Sequence, residues 1–165
     1  MNSQVSRTTT SSIVGLILWI GLCFLVAWTG ARVSPGIAPS EWYNALNKPG
    51  WNPPNWVFGP VWTLLYTLMG IAAWRIWNKF GFREARPALV LFLLQLGLNG
   101  LWSQLFFRLQ SPGWAFIEIF FLLAAIIITS YLFSKKDKWA FGLMVPYILW
   151  VSFAACLNGT IWWIN

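Results

Sequence analysis

Unbroken apolar runs decide what this chain can become. Residues 13–31, 56–78, 88–107, 112–133 and 139–163 each read as a helix long and apolar enough to cross a bilayer, which takes about 20 residues. Only 9% of the 165 residues are charged and 58% are hydrophobic, against about 25% charged in a soluble domain. There is too little polar surface to coat a water-soluble globule. The expected fold is all-α: an integral membrane bundle of five transmembrane helices, one domain over residues 1–165, with a long ordered loop at 32–55. The first run is too long for a signal-peptide core and no small-residue cleavage site follows it, so it is read as a span.

The formal charge of +7 does not point to nucleic acid, because the cations lie in short clusters between apolar runs, as membrane topology arranges them. Five spans put the termini on opposite sides. Arg7, Arg75, Lys79, Arg83, Arg86, Lys135, Lys136 and Lys138 fall on one side, eight in all; Arg32, Lys48 and Arg108, three in all, fall on the other. The amino terminus is expected in the cytoplasm, with the carboxyl terminus and the 32–55 loop outside. Cys23 and Cys156 lie in separate spans without the spacing of a disulfide or zinc motif. The chain has no histidine, which removes the commonest ligand for zinc or haem. No resident cofactor or metal is expected.

The long loop is not a plain linker. Pro35, Pro39, Pro49, Pro53 and Pro54 restrict its backbone, while Trp42, Tyr43, Trp51 and Trp56 give it apolar mass. It is expected to fold back over the helix ends as a lid. Ser40 is placed to cap a short helix carrying Glu41 to Leu46, and Asn52 to cap the second span with Pro53 and Pro54 in its first turn.

Tryptophans collect at membrane interfaces, which accounts for Trp28, Trp56, Trp74, Trp77, Trp139, Trp162 and Trp163 near predicted helix ends. Others lie deeper. At about 1.5 Å per residue, Trp62 sits roughly 9 Å, Trp102 roughly 8 Å and Trp150 roughly 20 Å below the outer ends of their spans. Gln95, Asn99, Trp102 and Phe106 share one helical stripe, and Trp150, Ala154 and Asn158 another. Amides facing lipid are costly, so Gln95, Asn99 and Asn158 are expected to point inward. They serve either as bonds between helices or as polar points in a pocket; Ala154, one turn from Trp150, leaves a close helix contact or a gap. Glu118, the one acid inside a span, has Arg108 as its nearest cation and expected partner. Ala155 with Gly159, and Gly97 with Gly100, are small enough to seat another helix or another subunit.

Several of these residues stand in motifs. KPGWNPPNWVFGPVWTLLY (48–66), the Trp42–Tyr43 pair, LNGLWSQLFF (98–107) and VPYILWVSFAACLNGTIWWIN (145–165) occur in the order in which the tryptophan-rich sensory protein family, also called the translocator protein or peripheral benzodiazepine receptor family, carries similar ones. The chain resembles that family along its whole length. The resemblance implies a five-helix bundle, often a homodimer, that binds porphyrins, isoquinoline or benzodiazepine-type compounds and, in animal members, cholesterol. It implies ligand contacts at Trp62, Asn99, Trp102, Trp150 and Ala154, with Trp42, Tyr43 and Trp51 in the lid. One departure argues against cholesterol: the sterol-linked pattern of animal members needs a Tyr followed by Lys or Arg at the end of the last helix, where this chain reads IWWIN.

The expected function is a membrane receptor or sensor holding a porphyrin-like tetrapyrrole, or another planar apolar compound, among tryptophans. Light-dependent porphyrin degradation with Trp62 and Trp150 as the reacting partners is an alternative, although no nucleophile with its base or acid–base pair is legible. Transport of tetrapyrroles or lipids is another, without the inverted repeat that many transporters show.

Overall fold

The computed structural model describes residues 8–34 and 41–165. Ser40, the expected cap, and Pro35 and Pro39 lie outside the described residues. The elements are α1 (Thr9–Ala31), α2 (Glu41–Ala45), α3 (Asn55–Glu84), α4 (Arg86–Ser103) running into a π-helical turn (Gln104–Arg108), α5 (Pro112–Ser134) and α6 (Lys138–Ile164). Among the described residues, five helices are long and apolar enough to cross a membrane: α1, α3, α4 with its π turn, α5 and α6. The fold is an all-α membrane bundle, with α2 as a short helix in the loop.

The helices overrun their apolar stretches where local chemistry extends them. α1 begins four residues before the predicted span because the Thr8 side chain caps it, accepting from the Ser11 N–H at 3.3 Å. α3 continues past the predicted end at residue 78 and turns at Gly81, whose φ of 70° is reached cheaply by glycine alone. α4 follows after a single residue, Ala85, so the expected connection is a helical corner. The other end of α3 differs from the expectation. Helix begins after Pro53 and Pro54, and Asn52 caps nothing: its Nδ2 donates to the Pro53 carbonyl at 3.0 Å. Successive prolines hold the chain extended there, which puts the Asn52 side chain out of reach of the first turn.

Glycines set the closest approaches. A Cβ on Gly70 would lie 2.8 Å from the Ile20 Cα, and one on Gly15 would lie 2.1 Å from the Trp77 ring. α1 and α3 thus pack backbone to backbone, the arrangement small residues permit when lipid supplies no hydrophobic drive. Trp77 therefore packs between α1 and α3. So does Trp74, whose Nε1 donates to the Ser12 carbonyl at 2.9 Å. The small residues of α6 and α4 are also partly used within the chain, since Gly159 receives Phe116 of α5 and Gly100 receives Val26 of α1.

The end of the bundle away from the lid is pinned by an acid that sequence patterning did not single out. Asp137 accepts from the Trp139 and Ala140 N–H groups, capping α6. It also takes Arg75 at 2.9 Å and Lys79 at 2.7 Å from α3. Burial by itself raises this carboxyl, but the Lys79 and Trp139 hydrogen bonds and the Arg75 and Lys79 charges outweigh it. Asp137 titrates below the ordinary aspartate value.

Candidate functional site

Beneath the lid lies a cavity of about 390 Å³ with walls from α1, α3, α4, α6 and the loop. None of its lining residues comes from α5. Trp62 enters from α3, Trp102 from α4 and Trp150 from α6, with Ala154 one turn closer to the lid than Trp150. Each indole is held by other rings. Trp62 lies 5.3 Å from Tyr66 and 6.2 Å, edge-on, from Tyr147. Trp150 meets Phe58 edge-on at 5.9 Å. Trp102 stacks on Phe106 at 5.1 Å, and its Nε1 donates to Asn158 Oδ1 at 3.1 Å. Rings fixed in this way present preformed faces and lose little freedom on receiving a flat ligand.

The eight residues expected to bind a ligand are divided by the fold. Trp62, Trp102, Trp150, Ala154 and Tyr43 border the cavity. Asn99 is close by but stands behind its wall. It accepts a hydrogen bond from the Tyr66 hydroxyl at Oδ1 and donates from Nδ2 to the Tyr147 hydroxyl at 3.0 Å. Trp51 packs edge-on against Phe153 at 5.7 Å, is 49% exposed and does not line the cavity. Trp42 rests on Phe106 at 5.8 Å and borders a separate, more open groove with Trp114 and Trp162.

Gln95, Asn99 and Asn158 are all buried, as expected. Asn158 ties two helices, since besides accepting from Trp102 it donates to the Pro112 carbonyl at the start of α5 at 2.8 Å. The expected Glu118–Arg108 pair does not form. Both Glu118 oxygens are buried without a hydrogen-bond partner, while Arg108 is exposed at the end of the π turn.

Residues missed in the sequence also line the cavity. Phe58 and Tyr66 flank Trp62 one turn to either side, a helical stripe that periodicity shows once Trp62 is taken as inward. Trp28 of α1 belongs to the lining as well, although its position near a helix end reads as interfacial. Phe107 could not have been found, because an α-helical register does not place it beside Phe106. The π turn, closed by the Leu109 N–H donating to the Gln104 carbonyl at 2.9 Å, rotates the chain by an extra residue. Phe106 and Phe107 then both meet Tyr43, at 6.4 and 5.6 Å.

The lid is fastened by Asn165, beyond the end of α6. The Asn47 N–H donates to Asn165 Oδ1 at 2.9 Å, and Asn165 Nδ2 donates back to the Asn47 carbonyl at 3.0 Å. With each exposed bond worth about 0.5–1.5 kcal/mol, Asn165→Ala is expected to speed ligand release several-fold. Amide exchange around residues 44–48 should rise in parallel; unchanged rates in stopped-flow displacement would show that the strap does not hold the lid.

Comparisons with known proteins give the geometry a context. The pattern of the TspO/MBR family matches residues 16–164. The chain is 43% identical over 158 residues to Tryptophan-rich protein TspO of Chlorobaculum tepidum, covering 93% of this chain and 97% of that one. It is 37% identical to Tryptophan-rich sensory protein of Cereibacter sphaeroides, covering 86% and 85%. It is also 37% identical to Translocator protein of Homo sapiens, covering 74% and 73%.

Proposed function

The chain belongs to the TspO/MBR family, and from that premise we propose that this integral, multi-pass membrane protein is a receptor that holds a porphyrin-like tetrapyrrole in the indole-lined cavity. The observation that carries the reading is the convergence of Trp62, Trp102 and Trp150, from three helices, on one space closed by Tyr43 of the lid. Flat indole and phenol faces suit a macrocycle. Lys48, whose Nζ lies 4.5 Å over the Tyr43 ring, offers a cation at the rim to a porphyrin carboxylate. The volume falls in the range of small-molecule sites.

The lid end faces outward in this proposal, on the Lys/Arg census. Homodimerisation belongs to it too. Gly97 leaves open space on a face of α4 that it shares with exposed Leu93, Leu94 and Leu101, where a second copy can approach closely.

Titration of the purified protein with metal-free protoporphyrin IX, followed by tryptophan fluorescence, tests the central claim. Saturable quenching with one porphyrin per chain is expected, displaced by an isoquinoline-type compound and not by cholesterol. Quenching that rises linearly without saturation would remove the claim. Trp62 and Trp150 border the same cavity, which favours photo-oxidation as the second reading; loss of porphyrin absorbance under illumination, abolished by replacing both, would assign it.

A further inference from the structure

The cavity is open along one side. The lining residues that are exposed are Phe24 and Trp28 of α1 and Asn55, Gly59 and Thr63 of α3, so the open side is the seam between these two helices. Glycine contacts explain it. Away from the lid α1 lies against α3, where a Cβ on Gly70 would stand 2.8 Å from the Ile20 Cα. Towards the lid it lies against α4 instead: a Cβ on Gly100 would stand 3.1 Å from Val26, and one on Gly30 would stand 3.0 Å from Ser103. The Gln104 side chain adds a bond to the Thr29 carbonyl at 3.3 Å. α1 therefore passes from one neighbour to the other and leaves a wedge between itself and α3. Beside Gly59 the wedge is open, since a Cβ there would meet no atom within 4 Å.

The wedge reaches the depth of lipid chains. Phe24 and Thr63 lie seven and eight residues from the lid ends of their helices, roughly 10–12 Å along the axis. That is deeper than the interfacial layer of about 5–8 Å on each side of the hydrocarbon. At the headgroup end, the Arg32 guanidinium lies 4.7 Å over the Trp28 ring. Hydroxyls along the wedge are satisfied within their own helices: Thr63 Oγ1 donates to the Gly59 carbonyl and Ser34 Oγ to the Gly30 carbonyl, each at 2.9 Å. A polar substituent pointing through the wedge would face hydrocarbon unpaired, which is strongly disfavoured. An alkyl chain keeps there the apolar surroundings it has in the bilayer.

We propose that the ligand of this cavity is a tetrapyrrole carrying one long alkyl or isoprenoid chain, its flat head among Trp62, Trp102 and Trp150 and its chain running out between α1 and α3 into the bilayer. The inference rests on the cavity being a tetrapyrrole site, and it narrows the substrate class to a macrocycle made amphiphilic by one esterified carboxylate. A second carboxylate stays free for Lys48 at the rim. Because the chain never leaves an apolar medium, it fills the opening without a desolvation cost of its own.

The test compares two esters of protoporphyrin IX, the monohexadecyl and the monomethyl, which share a head and a free carboxylate and differ only in the chain. Both are titrated against the whole protein in one detergent by tryptophan fluorescence. Each variant is set against the parent chain with each ester, so that partition of the hexadecyl chain into micelles cancels. Thr63→Phe puts a ring into the wedge and removes only a hydroxyl bonded within α3. It should weaken the hexadecyl ester about tenfold more than the methyl ester, within the range that overpacking imposes. Gly59→Leu fills the wedge one turn nearer the lid, where a side chain meets nothing, and should discriminate in the same direction; it carries the test should the phenylalanine variant not fold. Equal losses for the two esters in both variants, or no loss for either, as when a bilayer lipid holds the wedge, overturn the chain's route while leaving the cavity reading intact. Absence of saturable quenching by the methyl ester in the parent chain overturns the cavity reading itself, and the inference falls with it.

Discussion

Trp150→Ala is expected to bind protoporphyrin IX about 30-fold more weakly than the parent chain. The indole is held against Phe58 and Phe153 at 5.9 and 5.5 Å and presents a face to the cavity. Aromatic contact adds about 0.5–1.5 kcal/mol to the gain from apolar burial, and a combined loss of about 2 kcal/mol corresponds to that factor. Trp150→Phe keeps a smaller flat face and should fall between the two. Trp163, 87% exposed at the end of α6, is the control, since Trp163→Phe removes a fluorophore of the same kind without touching the cavity. Fluorescence titrations that give equal affinities for the alanine variant and the parent would mean that porphyrin binds elsewhere or not at all.

The second large effect is on stability. Asp137→Ala is expected to cost about 2–3 kcal/mol: about 1 kcal/mol for the lost cap of α6 and the remainder for the ties to Arg75 and Lys79, discounted because both cations are partly exposed and can turn to water or headgroups. Asp137→Asn separates the two contributions, since asparagine caps well but carries no charge. Both are read as the midpoint of thermal unfolding in detergent. The pH dependence has a definite sign. Because the folded carboxyl titrates below its ordinary value of 3.8, its contribution is complete above that value and is lost as pH falls through the lower, folded one. The parent chain should therefore lose stability in acid more steeply than Asp137→Asn. Equal acid profiles would show that the ion pairs contribute nothing.

The two acids show where sequence reading stopped. Glu118 drew attention because it interrupts an apolar run, and Arg108 was its nearest cation along the chain; in the fold they do not meet. Asp137 sits inconspicuously among Lys135, Lys136 and Lys138, yet its partners come from α3, about 60 positions earlier. Charge proximity along the chain is a poor guide once helices are packed side by side. Asn99 is a similar case. Its depth and inward face were legible from spacing, but not that Tyr66 and Tyr147 occupy its amide and withdraw it behind the cavity wall. Trp74 and Trp77 read as interfacial by position, and only the approach of α1 at Gly15 and Ser12 shows that they also pack between helices.

Whatever depends on transfer out of water, or on distance along a single helix, could be read from the residues in order: five spans, an all-α bundle, and indoles at overlapping depth beneath a proline-rich loop. These properties are local, because hydrophobicity acts residue by residue and helical rise is constant. Tertiary structure alone decided which groups touch: that the indoles of α3, α4 and α6 share one cavity, that a π turn brings Phe107 to the lid, and that Glu118 is left without a partner. Such contacts follow from how each helix is rotated and paired, which close packing at a few glycines and the cross-helix hydrogen bonds settle together.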